Sequence, residues 1–248
     1  MSAKSSIATP VQDQPARKSV AAGLHPPGLL GARPMIGLIM FIFGCLVFGG
    51  LTYNLLNQGP LLQWDKAIAN TLPAIALKTP PFVQTVMDAG YYAGDQVIAV
   101  LSILLGLFFI IKRLWKELAM MTVGLVGASS LFLLLSHYFA RPRPPTQIWI
   151  VLDIPGFPSG HAITVVVFYG LMAYLLVPKI ASAFRKGIVV AAALLIIVFV
   201  GFSRVFTGGH YLTDILSGYA VGIAWSGLIF TLIELVFQKI RNRNVKKE

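Results

Sequence analysis

The sequence predicts an all-helical integral membrane protein that crosses the bilayer six times. Hydrophobic residues make up 56% of the 248 and charged residues only 12%, with a mean hydropathy of +0.77. Apolar stretches of about 18 residues are long enough to cross the hydrocarbon core as helices, and the fifth stretch here is at the lower limit. The six candidate spans are residues 35–56, 96–111, 117–139, 160–177, 187–203 and 214–237.

The segments around these spans predict one membrane domain with two tails. Residues 1–34 lack apolar periodicity, so we expect a disordered cytoplasmic tail. Because the first span follows this polar tail, it does not resemble a cleavable signal peptide and is expected to remain in the protein. Residues 35–240 then form a six-helix domain, and residues 241–248 form a basic cytoplasmic tail.

The longest connection between spans, residues 57–95, holds several aromatic residues that suit the membrane interface. A short amphipathic helix at about 64–77 is expected to lie on the bilayer there. At the end of this connection, Asp95 is interpreted as the N-cap of the second span, a structural role that is sufficient to explain it.

The basic residues predict the orientation of the chain. With six spans and a cytoplasmic N-terminus, fifteen of the 20 lysine and arginine residues fall in the two tails and the inner turns. The positive-inside rule therefore places both termini in the cytoplasm. It also accounts for the net charge of +11 without a nucleic-acid partner. We expect the protein in a bacterial inner or plasma membrane.

The same topology brings distant residues to one face of the membrane. Residues 140–159 follow the third span and residues 204–213 follow the fifth, so both segments emerge opposite the termini. Ionisable groups kept beside a bilayer are costly and usually mark a functional site. The sequence therefore predicts an extracytoplasmic active site built from these two segments.

The segment after the fifth span contains Ser203, Arg204, His210 and Asp214. His210 and Asp214 are four residues apart and would share one face of a helix. A carboxylate bonded to the Nδ1–H of His210 would fix its tautomer and leave Nε2 free as a nucleophile. The alternative is an interfacial histidine capped by an aspartate at a helix start.

The segment before the fourth span contains Pro158, Ser159, Gly160 and His161. Proline followed by Ser-Gly predicts a helix start, at which the unpaired N–H groups of residues 159–161 and the helix dipole bind an anion. His161 beside that anion has the chemistry of a general acid. The alternative is an N-cap serine beside an incidental histidine.

Three arginines add positive charge on the same side. Arg141 and Arg143 leave the third span and Arg204 leaves the fifth. Guanidinium groups bind phosphate oxygens through a planar fork, and anchoring to lipid headgroups is the alternative role. A metal held by the two histidines is disfavoured because the arginines would repel it. The residues therefore favour a bound phosphate, with neither a metal nor another cofactor.

A serine hydrolase triad of Ser159, His161 and Asp214 is disfavoured as well, because the flanking residues lack a nucleophile-elbow pattern.

These motifs closely resemble those of the type 2 phosphatidic acid phosphatase superfamily, the lipid phosphate phosphatases related to vanadium haloperoxidases, and especially its bacterial membrane-bound members. The family carries Lys-x6-Arg-Pro, Pro-Ser-Gly-His and Ser-Arg-x5-His-x3-Asp. The second motif matches at residues 158–161 and the third at 203–214, with every spacing intact. The resemblance covers about residues 35–240.

The resemblance implies an all-helical, metal-free phosphatase that forms a phosphohistidine. His210 would attack phosphorus while Asp214 orients it. His161 would protonate the leaving group and later activate water. The residues that would hold the phosphoryl oxygens are Arg143, Ser159, Gly160 and Arg204.

One position departs from the family pattern. Counting back from Arg143, the family lysine falls on Ser136, which carries no charge. His137 and Arg141 are the candidate substitutes, although successive helix positions such as 136 and 137 point about 100° apart. One cation fewer would weaken phosphate binding by about 1.5–3 kcal/mol, the value of one charge-assisted hydrogen bond.

The sequence thus predicts a membrane lipid phosphatase. Its candidate substrates are a polyprenyl diphosphate, phosphatidate, phosphatidylglycerophosphate and a lipid A phosphate. One alternative is a phosphotransferase that passes the phosphoryl group to a second lipid, and another is a non-catalytic lipid binder or transporter. A haloperoxidase is disfavoured because the chain spans the membrane.

Overall fold

The computed structural model describes residues 32–145 and 154–245, and every regular element in these two ranges is helical. A helix satisfies its backbone hydrogen bonds internally, which an apolar chain requires inside a bilayer. A 3₁₀ turn, Val177–Lys179, follows the sixth helix. The eight α-helices are α1 (Ala32–Leu56), α2 (Leu61–Ala76), α3 (Pro81–Gly94), α4 (Gln96–Ile111), α5 (Trp115–Phe139), α6 (Gly160–Leu176), α7 (Ala183–Phe206) and α8 (Leu212–Val245).

Six helical segments of the described chain are long and apolar enough to span a membrane, as predicted. The second span is longer than predicted, because α3 and α4 follow each other end to end across Asp95. The predicted bounds 96–111 coincide with α4, and the candidate span starts earlier because α3 precedes it from Pro81, where a proline fits the first turn. The spans are Pro34–Leu56, Pro81–Ile111, Trp115–Phe139, Gly160–Lys179, Ala183–Phe206 and Leu212–Ile240.

Helix α8 is central and packs against α1, α5 and α6. Half of its most apolar stretch is buried, compared with 11% for α1. Burial is pronounced near its N-terminus, where Asp214, Ile215 and Ser217 are all inaccessible or nearly so. The short segment that leads into α8 is therefore held in the middle of one end of the bundle.

The four helix ends that border the predicted site lie together at that end. The backbone N–H of Ser159, before α6, donates to the carbonyl of Asp214 in α8 at 3.0 Å. The N–H of Gly156 donates to the carbonyl of Arg141, after α5, at 2.7 Å. The turns at the opposite end of the bundle carry basic residues, namely Lys112, Arg113, Lys116, Lys179, Arg185 and Lys186.

Helix α2 occupies the segment where an interfacial helix is predicted at 64–77, and it packs against α7 and α8. Its position relative to the bilayer stays a prediction. The predicted N-terminal tail lies outside the described residues up to residue 31. At the other end α8 continues to Val245, beyond the predicted domain boundary at 240.

Candidate active site

His210 lies at the centre of the predicted site, in the turn before α8, and is only 1% exposed. Its Nδ1 lies 3.0 Å from the carbonyl oxygen of Gly156, and its Nε2 lies 2.9 Å from Nη1 of Arg143. A carbonyl can only accept a hydrogen bond and a guanidinium can only donate one. These two contacts therefore assign the proton to Nδ1 and a free lone pair to Nε2, the form that a nucleophile needs.

Asp214 contacts His210 less directly than predicted. Its Oδ2 lies 3.6 Å from Nδ1 of His210, which is ion-pair range but too long for a hydrogen bond. The same oxygen accepts the backbone N–H of Tyr211 at 2.9 Å. The predicted hydrogen bond that fixes the tautomer is thus made by the Gly156 carbonyl. The carboxylate supplies negative charge beside the ring.

Two of the predicted phosphate-binding residues, Arg143 and Ser159, lie beside the free nitrogen of His210. Arg143 is oriented by two carbonyl oxygens, because its Nε donates to Ile154 at 2.8 Å and its Nη1 to Gly209 at 2.9 Å. The hydroxyl of Ser159 lies 3.4 Å from Nε2 of His210. Arg143 and Ser159 can therefore contact a phosphoryl group on that nitrogen.

The backbone at the start of α6 offers fewer donors than predicted. The N–H of Ser159 is bonded to Asp214, so it is not free for an anion. Its hydroxyl caps α6 by accepting from the N–H of Ala162 at 3.4 Å. The remaining donors of this helix start are the N–H groups of Gly160 and His161. They lie in the first turn of α6, where backbone N–H groups have no carbonyl acceptor within the helix.

Arg204 supplies a second buried cation. Its guanidinium lies 3.8 Å above the ring of Tyr91. Within the described part of the chain, its buried Nε and Nη2 have no hydrogen-bond partner. A buried charged donor without a partner is rare in a folded protein and calls for a ligand. A phosphoryl oxygen is the ligand that this cation suits.

His161 faces His210 across the site, with 6.4 Å between the two ring centroids. Its Nε2 lies 2.8 Å from Oδ2 of Asp95. Asp95 occupies the predicted N-cap position of α4, but its side chain makes no hydrogen bond to the start of that helix, so capping alone does not explain it. The carboxylate points to a histidine of the site instead.

Ser136 and His137 do not supply the missing family cation. Ser136 is buried, and its hydroxyl donates to the carbonyl of Leu133 at 3.2 Å. His137 is exposed, with its Nδ1 2.7 Å from the same carbonyl, because the next helix position points away from Ser136. This contact gives no support to the prediction that His137 substitutes for a lysine.

Arg141 is also not available to phosphate. It is 8% exposed and donates to Asp65 at 2.8 Å and to Asp214 at 2.6 Å. Ala140, with a left-handed φ of 45°, ends α5 and turns the chain so that Arg141 faces α2 and α8. Thr213 closes this buried network, since its hydroxyl bonds both Arg141 and Asp65. These contacts do not support the prediction of Arg141 as a substitute cation.

Two carboxylates of the site, Asp65 and Asp95, lie outside the three sequence motifs, so the motifs do not predict them. Asp65 is 1% exposed, and it shares the buried face of α2 with Ala69 and Ala76. A carboxylate on the apolar stripe of an amphipathic helix is the signal that predicts a buried partner. Asp95 gives no comparable signal, because an aspartate at a helix junction is common.

Electrostatics at His210 give a testable pH dependence. Burial, followed by the positive charges of Arg143, His161 and Arg204, lowers the pKa of His210 well below its ordinary value of 6.5. Below pH 6.5 the unfolded chain then binds a proton at this histidine that the folded protein does not bind. This contribution to the free energy of unfolding is complete above that pH and is lost as the pH falls toward the folded-state pKa.

We expect the thermal midpoint of the detergent-solubilised protein to fall between about pH 7.5 and about pH 5, and to fall less in His210→Gln. The difference in this fall between wild type and His210→Gln measures the contribution of His210, because the other titrating groups are the same in both proteins. Parallel pH profiles would contradict the assignment of a neutral, buried imidazole.

Comparisons with known proteins identify the family. A sequence model of the PAP2 superfamily matches residues 114–237, half of the chain. The chain belongs to the PAP2 superfamily. Phosphatidylglycerophosphatase B of Bacillus subtilis (strain 168) is 26% identical over 206 residues, which are 82% of this chain and 95% of that protein. Lipid A 1-phosphatase of Rhizobium johnstonii is 38% identical over 77 residues, 31% of this chain and 27% of that one.

A solved structure extends the similarity to the fold. The crystal structure of the transmembrane PAP2 type phosphatidylglycerolphosphate phosphatase from Bacillus subtilis matches with a TM-score of 0.65 and 26% identity. The match covers 82% of this chain and 96% of that one. The predicted family, the six-span helical fold and the lipid phosphatase function are thereby confirmed. The roles of individual site residues stay predictions.

Proposed function

We propose that this PAP2 phosphatase removes the terminal phosphate of a membrane lipid through a phosphohistidine on His210. One observation carries the proposal: the unprotonated Nε2 of His210 lies 2.9 Å from Arg143 and opposite a second histidine. A lone pair among phosphate-binding cations, with a proton donor across the cavity, is what phosphoryl transfer to nitrogen requires.

In the first step Nε2 of His210 attacks phosphorus, and the bond between phosphorus and the leaving oxygen breaks. The electron pair of that bond stays on the leaving oxygen, which takes a proton from His161. Arg143 and Arg204 stabilise the charge on the equatorial oxygens. Asp214, 3.6 Å from Nδ1, stabilises the positive charge that the ring of His210 acquires.

In the second step a water molecule attacks the phosphorus of the phosphohistidine. His161, now neutral, takes a proton from this water, and the N–P bond breaks. The products are inorganic phosphate and His210 with its original lone pair. The residues supply nucleophile, acid, base and cations, so the proposed reaction needs no metal ion.

An apolar groove next to the site supports a lipid as the substrate. It has a volume of about 610 Å³ and lies between α2, α7 and α8, with Trp64, Val205 and Leu212 among its walls. The hydroxyls of Thr71 and Tyr219, which also line it, are bonded to backbone carbonyls. The groove therefore suits the hydrocarbon chain of a lipid, whose phosphate headgroup would then lie among the polar residues around His210.

Among the candidate lipids, we propose phosphatidylglycerophosphate as the substrate. The support is the Bacillus subtilis phosphatidylglycerophosphatase B, which is similar over nearly its whole length. The lipid A 1-phosphatase is similar over a much shorter segment, which makes a lipid A phosphate the second candidate.

We also propose that the site opens on the extracytoplasmic side of a bacterial plasma membrane, with both termini in the cytoplasm. The support is the distribution of charge, because the turns at the end of the bundle opposite the site are basic.

The purified protein in detergent should release inorganic phosphate from phosphatidylglycerophosphate faster than from phosphatidate, a polyprenyl diphosphate or a lipid A phosphate. EDTA should leave the rate unchanged. Tight binding of these lipids without phosphate release would instead indicate a non-catalytic binder. Transfer of labelled phosphate to an acceptor lipid, without free phosphate, would indicate a phosphotransferase.

A further inference from the structure

Asp95 lies outside the three family motifs, yet it contacts the proposed general acid. It joins α3 to α4 with φ −119° and ψ −70°, where the helix is interrupted. Its Oδ2 lies 2.8 Å from Nε2 of His161 and its side chain is 45% exposed, so the carboxylate lies at the open side of the site.

The close packing of α3 on α7 brings this carboxylate to the site. A Cβ on Gly90 would lie 2.6 Å from the hydroxyl of Ser203, and one on Gly94 would lie 3.0 Å from Val200. Larger residues at these positions would push α3 away from α7. The position of Asp95 therefore depends on a specific contact between two helices.

A second side chain of α3 takes part in the same site. The ring of Tyr91, one turn before Asp95, lies 5.6 Å from the ring of His161 and 3.8 Å from the guanidinium of Arg204. Tyr91 is thus close to both the imidazole and the arginine. Tyr91 of α3 and Asp95, which directly follows α3, therefore both lie against His161.

The charges of the site explain why His161 needs such a partner. A general acid must carry a proton when the leaving oxygen departs, yet the arginines that bind phosphate repel a protonated imidazole. Asp214 is already engaged with Arg141 and the N–H of Tyr211. Within residues 32–145 and 154–245, Asp95 is the carboxylate in ion-pair range of His161.

We infer that Asp95 is a positioning residue that holds the ring of His161 and stabilises its protonated form. With Nε2 bonded to Asp95, Nδ1 is the nitrogen that transfers the proton to the leaving oxygen. After the lipid has left, the same pair holds the neutral ring while it takes the proton of water. The inference rests on the proposed phosphatase reaction and adds a carboxylate–histidine pair on the side opposite His210.

The leaving group provides the test. An alkoxide leaving from a lipid phosphate needs a proton, whereas a nitrophenolate leaving from an aryl phosphate needs little help. In Asp95→Asn we expect kcat for the lipid phosphate to fall by about 100-fold, within the range of general acid catalysis, and KM to change little. For an alkyl-chain-bearing nitrophenyl phosphate, the rate of nitrophenolate release in the first turnover should stay within about threefold of the wild-type value, since proton transfer contributes little to that step.

Three further variants complete the experiment. His161→Ala should show the same selectivity for the leaving group, and Asp95→Glu should recover part of the lipid activity. Asp88→Asn, in α3 and seven residues before Asp95, is the matched control and should behave as wild type. A wild-type protein that releases no phosphate from either substrate would overturn the proposed function itself.

Other outcomes would overturn only the role of Asp95. Equal losses on both substrates would mean that the carboxylate merely maintains the fold. An unchanged kcat with a lower KM would mean that it competes with phosphate for the cations. If the aryl phosphate is a poor substrate, kcat and KM of Asp95→Asn for the lipid phosphate are compared with the wild-type values. A lower kcat with little change in KM supports the positioning role, and an unchanged kcat with a lower KM contradicts it.

Discussion

Replacing His210 with alanine is expected to reduce phosphate release by about 10⁴-fold or more, the size of loss seen when a catalytic nucleophile is removed. The imidazole of His210 lies beside the guanidinium of Arg143, and two hydrogen bonds hold its lone pair in place. The initial rate of phosphate release from phosphatidylglycerophosphate in detergent micelles measures the effect. The thermal midpoint of the variant shows whether the protein is still folded.

His137→Ala is the matched control for this variant. His137 is exposed and its ring contacts only the carbonyl of Leu133 among the hydrogen bonds of α5, so its loss should leave the rate unchanged. A His210→Ala protein that is folded and still fully active would remove this residue as the nucleophile.

The stability of the phosphorylated enzyme in acid and base distinguishes His210 from Ser159 as the nucleophile. Phosphate bonded to a histidine nitrogen is labile in acid and stable in base, whereas phosphate on a serine oxygen is stable in acid. Ser159, the alternative nucleophile, lies 3.4 Å from Nε2 of His210, but its hydroxyl caps α6. Acid-stable label in rapidly quenched enzyme would favour Ser159 over His210.

The sequence predicts the fold well because hydropathy and span length both follow from the energetics of the bilayer. All six spans are recovered by apolar length alone, and the parity of the spans brings the motifs to one end. The predicted second span matches α4 but omits α3, which precedes it. Residues 81–95 contain polar and small residues, so the apolar pattern begins only at residue 96.

The candidate site is predictable where its residues lie in motifs with fixed spacing, as for His210, His161 and Arg143. It is not predictable where a single residue meets a partner far along the chain. Asp65 bonds a threonine 148 residues away, and Asp95 bonds a histidine 66 residues away. Neither contact follows from periodicity, because each depends on how two helices pack.

The largest effect on stability is expected from Arg141→Met. Arg141 is the cation between two buried carboxylates, Asp65 and Asp214, which are 1% and 0% exposed. Removing one partner of a buried ion pair leaves an uncompensated charge and costs about 3–5 kcal/mol. We therefore expect a much lower thermal midpoint and a poor yield of folded protein, measured in detergent at neutral pH.

Arg143→Met, two residues along the chain, is the matched comparison because it deletes the same charge. Arg143 is half-buried and bonds two carbonyl oxygens and His210, so the fold should survive. Its loss should weaken phosphate binding by about 1.5–3 kcal/mol, a rise in KM of roughly 10- to 150-fold. The two arginines are two residues apart in the sequence but bind different partners, and the pair of variants tests this difference. If Arg141→Met keeps its thermal midpoint and loses phosphate affinity instead, then Arg141 is the cation that stands in for the family lysine.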